Sequence, residues 1–279
     1  HFVSGVMILT LSSFFIKLMG FITRVYMSNI MGAEGAGVYQ LIMSVYAVGA
    51  SFAVSGISVA VCTLTGAMPS SSHKIVKSAL AVTLTTGTVA SFVCFVFSEK
   101  IALLVGDLRA ASSIRIIALC FPFTSMFACL TGFFNGKSMV KIPVAGQIVE
   151  QSLRILIVFS FLSRAIKNGI PEACAAASLG IAVGEGVSAL FLMAVYLKNR
   201  TYGNFGKSCK RRLLSLSIPA AAGGYFNSVI HTVENSLIPF MLCSFGLSHS
   251  QAMSSLGVIK GMAAPICYFP NILISSVAT

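Results

Sequence analysis

Acidic side chains are scarce in this 279-residue chain, seven Asp and Glu in all, and the charged types together make up only 9% of it. A soluble domain carries about 25% Asp, Glu, Lys and Arg, so an ordinary water-soluble globular fold is excluded. The sequence has no C-x-x-C pair, zinc-ligand spacing, Walker A loop, G-x-S-x-G or dinucleotide fingerprint. Redox dithiols, structural zinc and ATP hydrolysis therefore lose their usual carriers. The loop acids that a lipid-modifying enzyme would use are few: Glu34, Glu99, Asp107 and Glu172. The chain is not expected to be an enzyme, and neither a cofactor nor a metal is expected.

What is abundant is apolar, at 56% of residues with mean hydropathy +0.91. Disorder, collagen and coiled coil do not carry such a composition. Uncharged stretches of membrane-spanning length recur end to end, which predicts an all-α, polytopic transmembrane helix bundle of about eight spans. The expected spans are Phe2 to Ser28, Tyr39 to Met68, Lys77 to Phe97, Ser112 to Phe134, Pro143 to Ser163, Ala173 to Leu197, Leu213 to Cys243 and Gln251 to Ala278. Cys62, Cys94, Cys120, Cys129, Cys243 and Cys267 fall inside these runs and are read as small core hydrophobes. The apolar start is read as a first span, not a cleaved signal peptide. The chain opens at His1 and stops at Thr279 inside an apolar run, so a fragment of a longer gene is expected.

The 19 Lys and Arg leave a net charge of +12. In a soluble protein that would suggest nucleic acid; here no nucleic acid partner is expected, because the excess sits in connections between spans. The second, fourth and sixth connections hold ten Lys and Arg, among them Lys74, Lys77, Lys137 and Lys141, against four (Lys100, Arg109, Arg164, Lys167) in the odd ones. That asymmetry places the even connections and the amino terminus in the cytoplasm. Lys198 to Arg212 is the longest and most basic break. It divides the chain into a six-helix amino-terminal lobe (1–198), a basic cytoplasmic linker (199–212) and the first two helices of a second lobe (213–279).

An ionised side chain at the bilayer centre costs roughly 2.5 to 3.5 kcal/mol on insertion scales, so charges within spans need a reason. Thr10, Ser13, Lys17, Gly20, Arg24 and Ser28 are three or four apart and form one polar, small-residue stripe on the first span. Lys17 and Arg24 then point the same way, into a water-filled cavity on the favoured reading, toward the outer interface on the bland one. In the fifth span Gln147, Glu150 and Arg154 share a face, with the Glu four residues before the Arg, either as an ion pair or as part of a cavity wall. Glu185 is the acid near the middle of the sixth span, with Arg154 or Lys17 as candidate partners, and Gly180 and Gly184 have the spacing of a close helix contact. In the seventh span Gly224, Asn227, His231 and Glu234 form a stripe able to bind a cation, carry a proton or serve only as a hydrogen-bonded pair. In the eighth, Lys260 precedes Pro265 and Pro270, which break or kink the helix.

Three segments carry a resemblance. Lys17 to Arg24 (KLMGFITR) followed by Met31 to Tyr39 (MGAEGAGVY) is similar to the first helix and first outer turn of stage V sporulation protein B and related polysaccharide exporters. Gly132 to Gly136 (GFFNG) leading into Gln147 to Arg154 (QIVEQSLR) resembles that family's fourth-to-fifth helix connection, and Gly261 to Pro265 with Phe269 and Pro270 its eighth helix. The family belongs to the multidrug/oligosaccharidyl-lipid/polysaccharide exporter superfamily, with lipid II flippases and multidrug and toxin extrusion antiporters.

The resemblance implies two six-helix lobes that alternate access, and a cationic cavity for the pyrophosphate of an undecaprenyl-linked oligosaccharide such as a peptidoglycan precursor. It further implies a role in cell-wall or spore-cortex supply at the bacterial cell membrane. On that basis Lys17 and Arg24 carry over as cavity cations; with Glu150 and Arg154, singled out by their spacing, they are the candidate substrate-binding residues, and the polar and proline positions Asn227, His231, Glu234, Lys260 and Pro265 are candidates for coupling and gating. The expected partners are a lipid-linked oligosaccharide, membrane lipid and a coupling cation or proton. Lys17 stands where relatives often have Arg, which keeps the charge but loses the bidentate fork. The alternatives are a cation-coupled multidrug antiporter and a non-transporting scaffold for envelope assembly.

Overall fold

The computed structural model describes residues 2–54, 56–198 and 210–267. Helix α1 (Phe2–Val54) breaks at Gly32, whose φ of 69° and ψ of −176° are not helical. A side chain at that φ would be strained, and glycine takes it without cost. The chain reverses there: Arg24 and Met27 before the break line the same cavity as Tyr39 and Gln40 after it. In a straight helix positions 24 and 40 would lie about 24 Å apart. The two arms of α1 are thus the first expected span and most of the second. The second does not run unbroken to Met68, because Gly56 (φ 64°) is left-handed and α2 (Ile57–Ala67) starts afresh.

Helix α3 (Ser72–Val96) occupies the third expected span, beginning five residues earlier. An unexpected short helix, α4 (Ser98–Val105), follows, closed by left-handed Gly106. Its Leu103 and Leu104 are exposed beside Glu99 and Lys100. The fourth span is not straight. Leu108–Ala118, containing α5 (Ala111–Ala118), meets α6 (Phe121–Gly136) at 47°, where Pro122 near the start of α6 removes a backbone donor. Helices α7 (Lys141–Ala165) and α8 (Ile170–Lys198) match the fifth and sixth spans.

Most of the expected basic linker, 199–209, lies outside the described residues. Its last three residues are corrected to helix, since α9 (Lys210–Ser244) is already formed at Lys210. Helix α10 (His249–Leu256) starts with a capping box between Ser248 and Gln251, which satisfies two backbone donors that a helix start leaves open. It continues as a π-helical turn, Gly257–Ala263, into α11 (Ala264–Cys267). The expected break in the eighth span is therefore a widened turn just ahead of Pro265; Pro270 falls outside the described residues. Among the described residues four helices are long and apolar enough to cross a membrane, five counting the bent pair, and the reversed α1 with α2 forms one of them, 58 residues from Thr10 to Ala67.

Two cores hold the bundle. One gathers Leu41, Ile42, Ile114, Ile117, Phe121 and Leu162; the other gathers Ile57, Leu64, Ile75, Leu130, Phe134 and Leu213. Leu213 brings the start of α9 into the core shared by α2, α3 and α6. Large apolar side chains such as Phe92, Leu156, Phe226 and Phe240 are exposed on the outer faces, a surface that water would penalise and lipid accepts. Gly180 and Gly184 serve packing: a Cβ on Gly184 would stand 2.9 Å from the Glu150 carbonyl oxygen, so α7 and α8 meet backbone to backbone.

Candidate functional site

Both arms of α1, with α7, α8, α9 and the Lys260–Pro265 stretch, enclose a chamber of about 600 Å³. Of the expected polar stripe, Lys17, Gly20 and Arg24 line it, joined by Ile16, Phe21, Thr23 and Met27, while Thr10, Ser13 and Ser28 are not on this wall. The wall has four cations, Lys17, Arg24, Arg154 and Lys260, together with His231, and no carboxylate among its described residues. Two acids stand behind it. Glu150 holds the Arg154 guanidinium at 2.7 Å, and Glu234 holds the Lys260 ammonium at 2.5 Å and His231 Nδ1 at 3.4 Å. Helical spacing explains the first pair, since residues four apart face each other. The second pair joins α9 to the turn after α10.

The candidate residues are thus mostly brought together. Lys17, Arg24, Arg154, His231, Lys260 and Pro265 line the chamber, and Glu150 and Glu234 orient three of these side chains from outside it. Asn227 is exposed and not on the chamber wall, one turn before His231 on α9. Its place is taken by Asn235, four residues after His231, buried and lining the chamber. Tyr39, Gln40 and Gln151 also line it, all in apolar runs. Two buried atoms at the wall, Arg154 Nε and Gln151 Oε1, have no hydrogen-bond partner among the described residues. The four cations on the wall suit an anionic guest.

Glu185 has neither of its expected partners in direct contact. Its oxygens accept from the Tyr46 and Thr124 hydroxyls, tying α8 to α1 and α6.

At the Gly32 end the two parts of the chain close on each other. Gly37 and Gly257 are at backbone contact: a Cβ on Gly37 would strike the Met253 carbonyl, and one on Gly257 the Ala33 carbonyl. Beside this crossing, Glu34 accepts from Arg109 Nη1 at 2.7 Å and from Ser250 Oγ at 2.8 Å. Arg109 is held by Asp107, also at 2.7 Å, and His249 Nε2 donates to the Gly106 carbonyl at 2.9 Å. Glu34 lies in the turn between the two arms, and the hydrogen bonds from Arg109 and then Ser250 hold its carboxyl below the ordinary glutamate range.

A helical bundle with lipid-facing flanks and a cation-lined chamber between two groups of helices has the form of a multi-pass membrane transporter. More particularly, the chain belongs to the polysaccharide biosynthesis protein family, which residues 2–268 match, the family that the three sequence segments resemble. It is 24% identical over 293 residues to stage V sporulation protein B of Bacillus subtilis (strain 168), covering 100% of this chain and 57% of that protein. It is 25% identical over 181 residues to the lipid II flippase MurJ of the same organism, covering 59% of this chain and 33% of that one.

Among solved structures, an inward-facing multidrug resistance MATE family transporter of the MOP superfamily aligns with TM-score 0.72 at 15% identity, over 94% of this chain and 60% of that chain. The MATE multidrug transporter DinF-BH aligns with TM-score 0.67, also at 15% identity, over 98% and 63%. These similarities establish the fold. The chain spans little more than half the length of the sporulation relative and about 60% of these structures.

Proposed function

We propose that this chain forms the first lobe and the start of the second lobe of a flippase that moves a lipid-linked oligosaccharide across the bacterial cell membrane. The cargo is an undecaprenyl-diphosphate-linked sugar such as a peptidoglycan precursor. The observation that carries the reading is the chamber wall, with Lys17, Arg24, Arg154 and Lys260 and no carboxylate among its described residues. The physical problem is the anionic head, because the tail can stay in hydrocarbon while the diphosphate cannot. A unit charge pair at 4 Å is worth about 1 kcal/mol in bulk water and about 4 kcal/mol near a protein surface. Several such contacts offset the loss of hydration.

In this proposal residues 1–198 and 213–279 belong to the two lobes, the linker 199–212 is cytoplasmic, and so is the amino terminus. The Gly32 end then faces outward, and the Gly37–Gly257 crossing with the Glu34 cluster makes this the state closed to the outside. Lys17 and Arg24 hold the diphosphate, the Glu150–Arg154 pair shapes the inner side, and the turn before Pro265 supplies a bend. Glu234 and His231 couple the cycle to a proton or cation. The protein performs no covalent chemistry.

The test uses the full-length protein with Lys17→Ala and Arg24→Ala, singly and together, reading exposure of lipid-linked precursor on the outer leaflet. Loss of a charge-assisted contact weakens head binding about 10- to 150-fold per residue, and flipping falls accordingly. Undiminished flipping in the double variant would refute the proposal and favour a scaffold role in envelope or spore-cortex assembly. The MATE-like fold supports a second reading, a cation-coupled multidrug antiporter. A cationic substrate would meet repulsion from four like charges at this wall.

A further inference from the structure

The chamber wall holds neutral donors and acceptors as well as cations, and two side-chain amides among them share a level with Arg24. Arg24 and Gln40 lie eight residues before and eight residues after Gly32, where α1 reverses, so the two arms carry them to the same depth. Both line the chamber and the small recess beside it. Helix α9 runs antiparallel to the second arm. The Ser228 and Ser51 hydroxyls meet at 2.5 Å, and four residues further along α9 the Thr232 hydroxyl donates to the Ser44 carbonyl at 3.1 Å. Continuing that register brings Asn235 opposite Gln40. Asn235 is 4% exposed, yet its amide has no hydrogen-bond partner among the described residues. Neither of its amide atoms is closed off within the wall as Gln151 Oε1 is, so what remains of its surface belongs to the chamber that it lines. The Gln40 amide is likewise without a partner among the described residues. Burying an amide without a hydrogen bond is costly. Folding alone gives no reason to keep Asn235 there, whereas a guest that pairs with it does.

We infer that Asn235 and Gln40 form a subsite for an acylamino group on the sugar joined to the diphosphate. The inference rests on the anion reading of the chamber and deepens it by naming a chemical class for the uncharged part of the head. A side-chain amide presents N–H donors and a carbonyl acceptor in one plane. The group that answers both in the same plane is another amide; a sugar hydroxyl must answer with a single atom. Arg24, at the same level, holds phosphate oxygens by charge-assisted hydrogen bonds, which leaves the substituent next to the glycosidic carbon within reach of the two amides. Affinity and selectivity are then divided. The cations hold the diphosphate whatever sugar it bears, and the amides are left unpaired, at a cost, when the sugar lacks the acylamino group.

The experiment measures binding of three probes to the full-length protein in phosphatidylcholine nanodiscs: an isoprenoid diphosphate bearing no sugar, one bearing glucose and one bearing N-acetylglucosamine. The parent should prefer the N-acetylglucosamine probe to the glucose probe by about 5- to 150-fold. Asn235→Leu, close to asparagine in size, should abolish that preference, bind the sugar-free probe as the parent does and melt no lower than the parent. Gln40→Leu supplies the same readout should Asn235→Leu fail to fold. Equal binding of the two sugar probes by the parent overturns the inference. So does a preference that survives both substitutions, and so does a loss shared equally by all three probes, since the amide would then support the fold alone. Failure of the anion reading looks different: the sugar-free probe would bind equally well after Lys17→Ala and Arg24→Ala together, a result that leaves the ratio between two sugar probes of equal charge to be judged by itself.

Discussion

If the crossing of Gly37 and Gly257 closes one end of the transporter, a single methyl there should push the lobes apart. Each glycine abuts a carbonyl oxygen of the opposing segment, Met253 for Gly37 and Ala33 for Gly257, so neither segment has a flexible side chain that could move aside. Overpacking of this kind costs about 1–3 kcal/mol. The cost falls only on the conformation in which the segments touch, so Gly37→Ala should shift the equilibrium toward the separated state by about 5- to 150-fold. The assay is reaction of a cysteine at Ser254, half-buried beside the crossing, with a membrane-impermeant thiol reagent applied outside full-length protein in oriented vesicles. Gly223→Ala is the control, because no atom lies within 4 Å of where its Cβ would go. Faster labelling in Gly37→Ala with none in the control supports the closure. A Gly37→Ala protein that melts earlier but labels at the parental rate would refute it, since the glycine would then serve packing alone.

The Glu34 cluster should reinforce that closure in a pH-dependent way. Its carboxyl is held below the usual range, chiefly by the Arg109 hydrogen bond, so its contribution is present above the ordinary glutamate pKa of 4.5 and is lost as pH falls through its own lower value. The pair is partly exposed, so about 0.2–1 kcal/mol is at stake; outer labelling at position 254 in the parent, divided by that in Glu34→Gln at the same pH so that the shared loss of thiolate cancels, should rise on acidification. Arg154→Gln strands the Glu150 carboxylate and should lower thermal stability more than Arg154→Gln combined with Glu150→Gln, by up to about 3 kcal/mol; additive losses would show the pair to be uncoupled. Glu234→Gln frees the Lys260 ammonium and should tighten isoprenoid diphosphate binding about fivefold, from about 1 kcal/mol of unmasked attraction. Weaker binding in that variant would count against an anion chamber.

What the sequence makes legible here is whatever repeats along one helix. The apolar runs locate the spans, and the spacing of Lys17, Gly20 and Arg24 gives the face of α1 that lines the chamber. Glu150 and Arg154 are one helical turn apart and pair as that spacing implies. Periodicity chooses a face but not a depth, which is why Asn227 shares the face of His231 and yet falls beyond the wall that Asn235 reaches. Contacts between distant segments leave no local signal. The hydroxyls that satisfy Glu185 are 139 and 61 residues away, at Tyr46 and Thr124, and Gly37 meets Gly257 across most of the chain. Helix α4 escapes notice because eight residues with two charges are too few to register as a span.

The arrangement of charge also explains how such a chamber can exist in a bilayer before cargo arrives. Four bare cations facing one another in a membrane would repel and draw the helices apart. Arg154 and Lys260 are each paired with an acid, Glu150 and Glu234, that is not itself on the chamber wall. Lys17 and Arg24 stand seven residues apart on one arm of α1, close to two helical turns, so the helix sets the separation of their backbone positions. Anchoring keeps the empty chamber tolerable, and incomplete neutralisation keeps it attractive to an anion. Had the acids faced inward beside their cations, the same residue count would have produced a nearly neutral cavity with no preference for a diphosphate head. In the proposed function, direction more than composition is therefore what would let this wall select for negative charge.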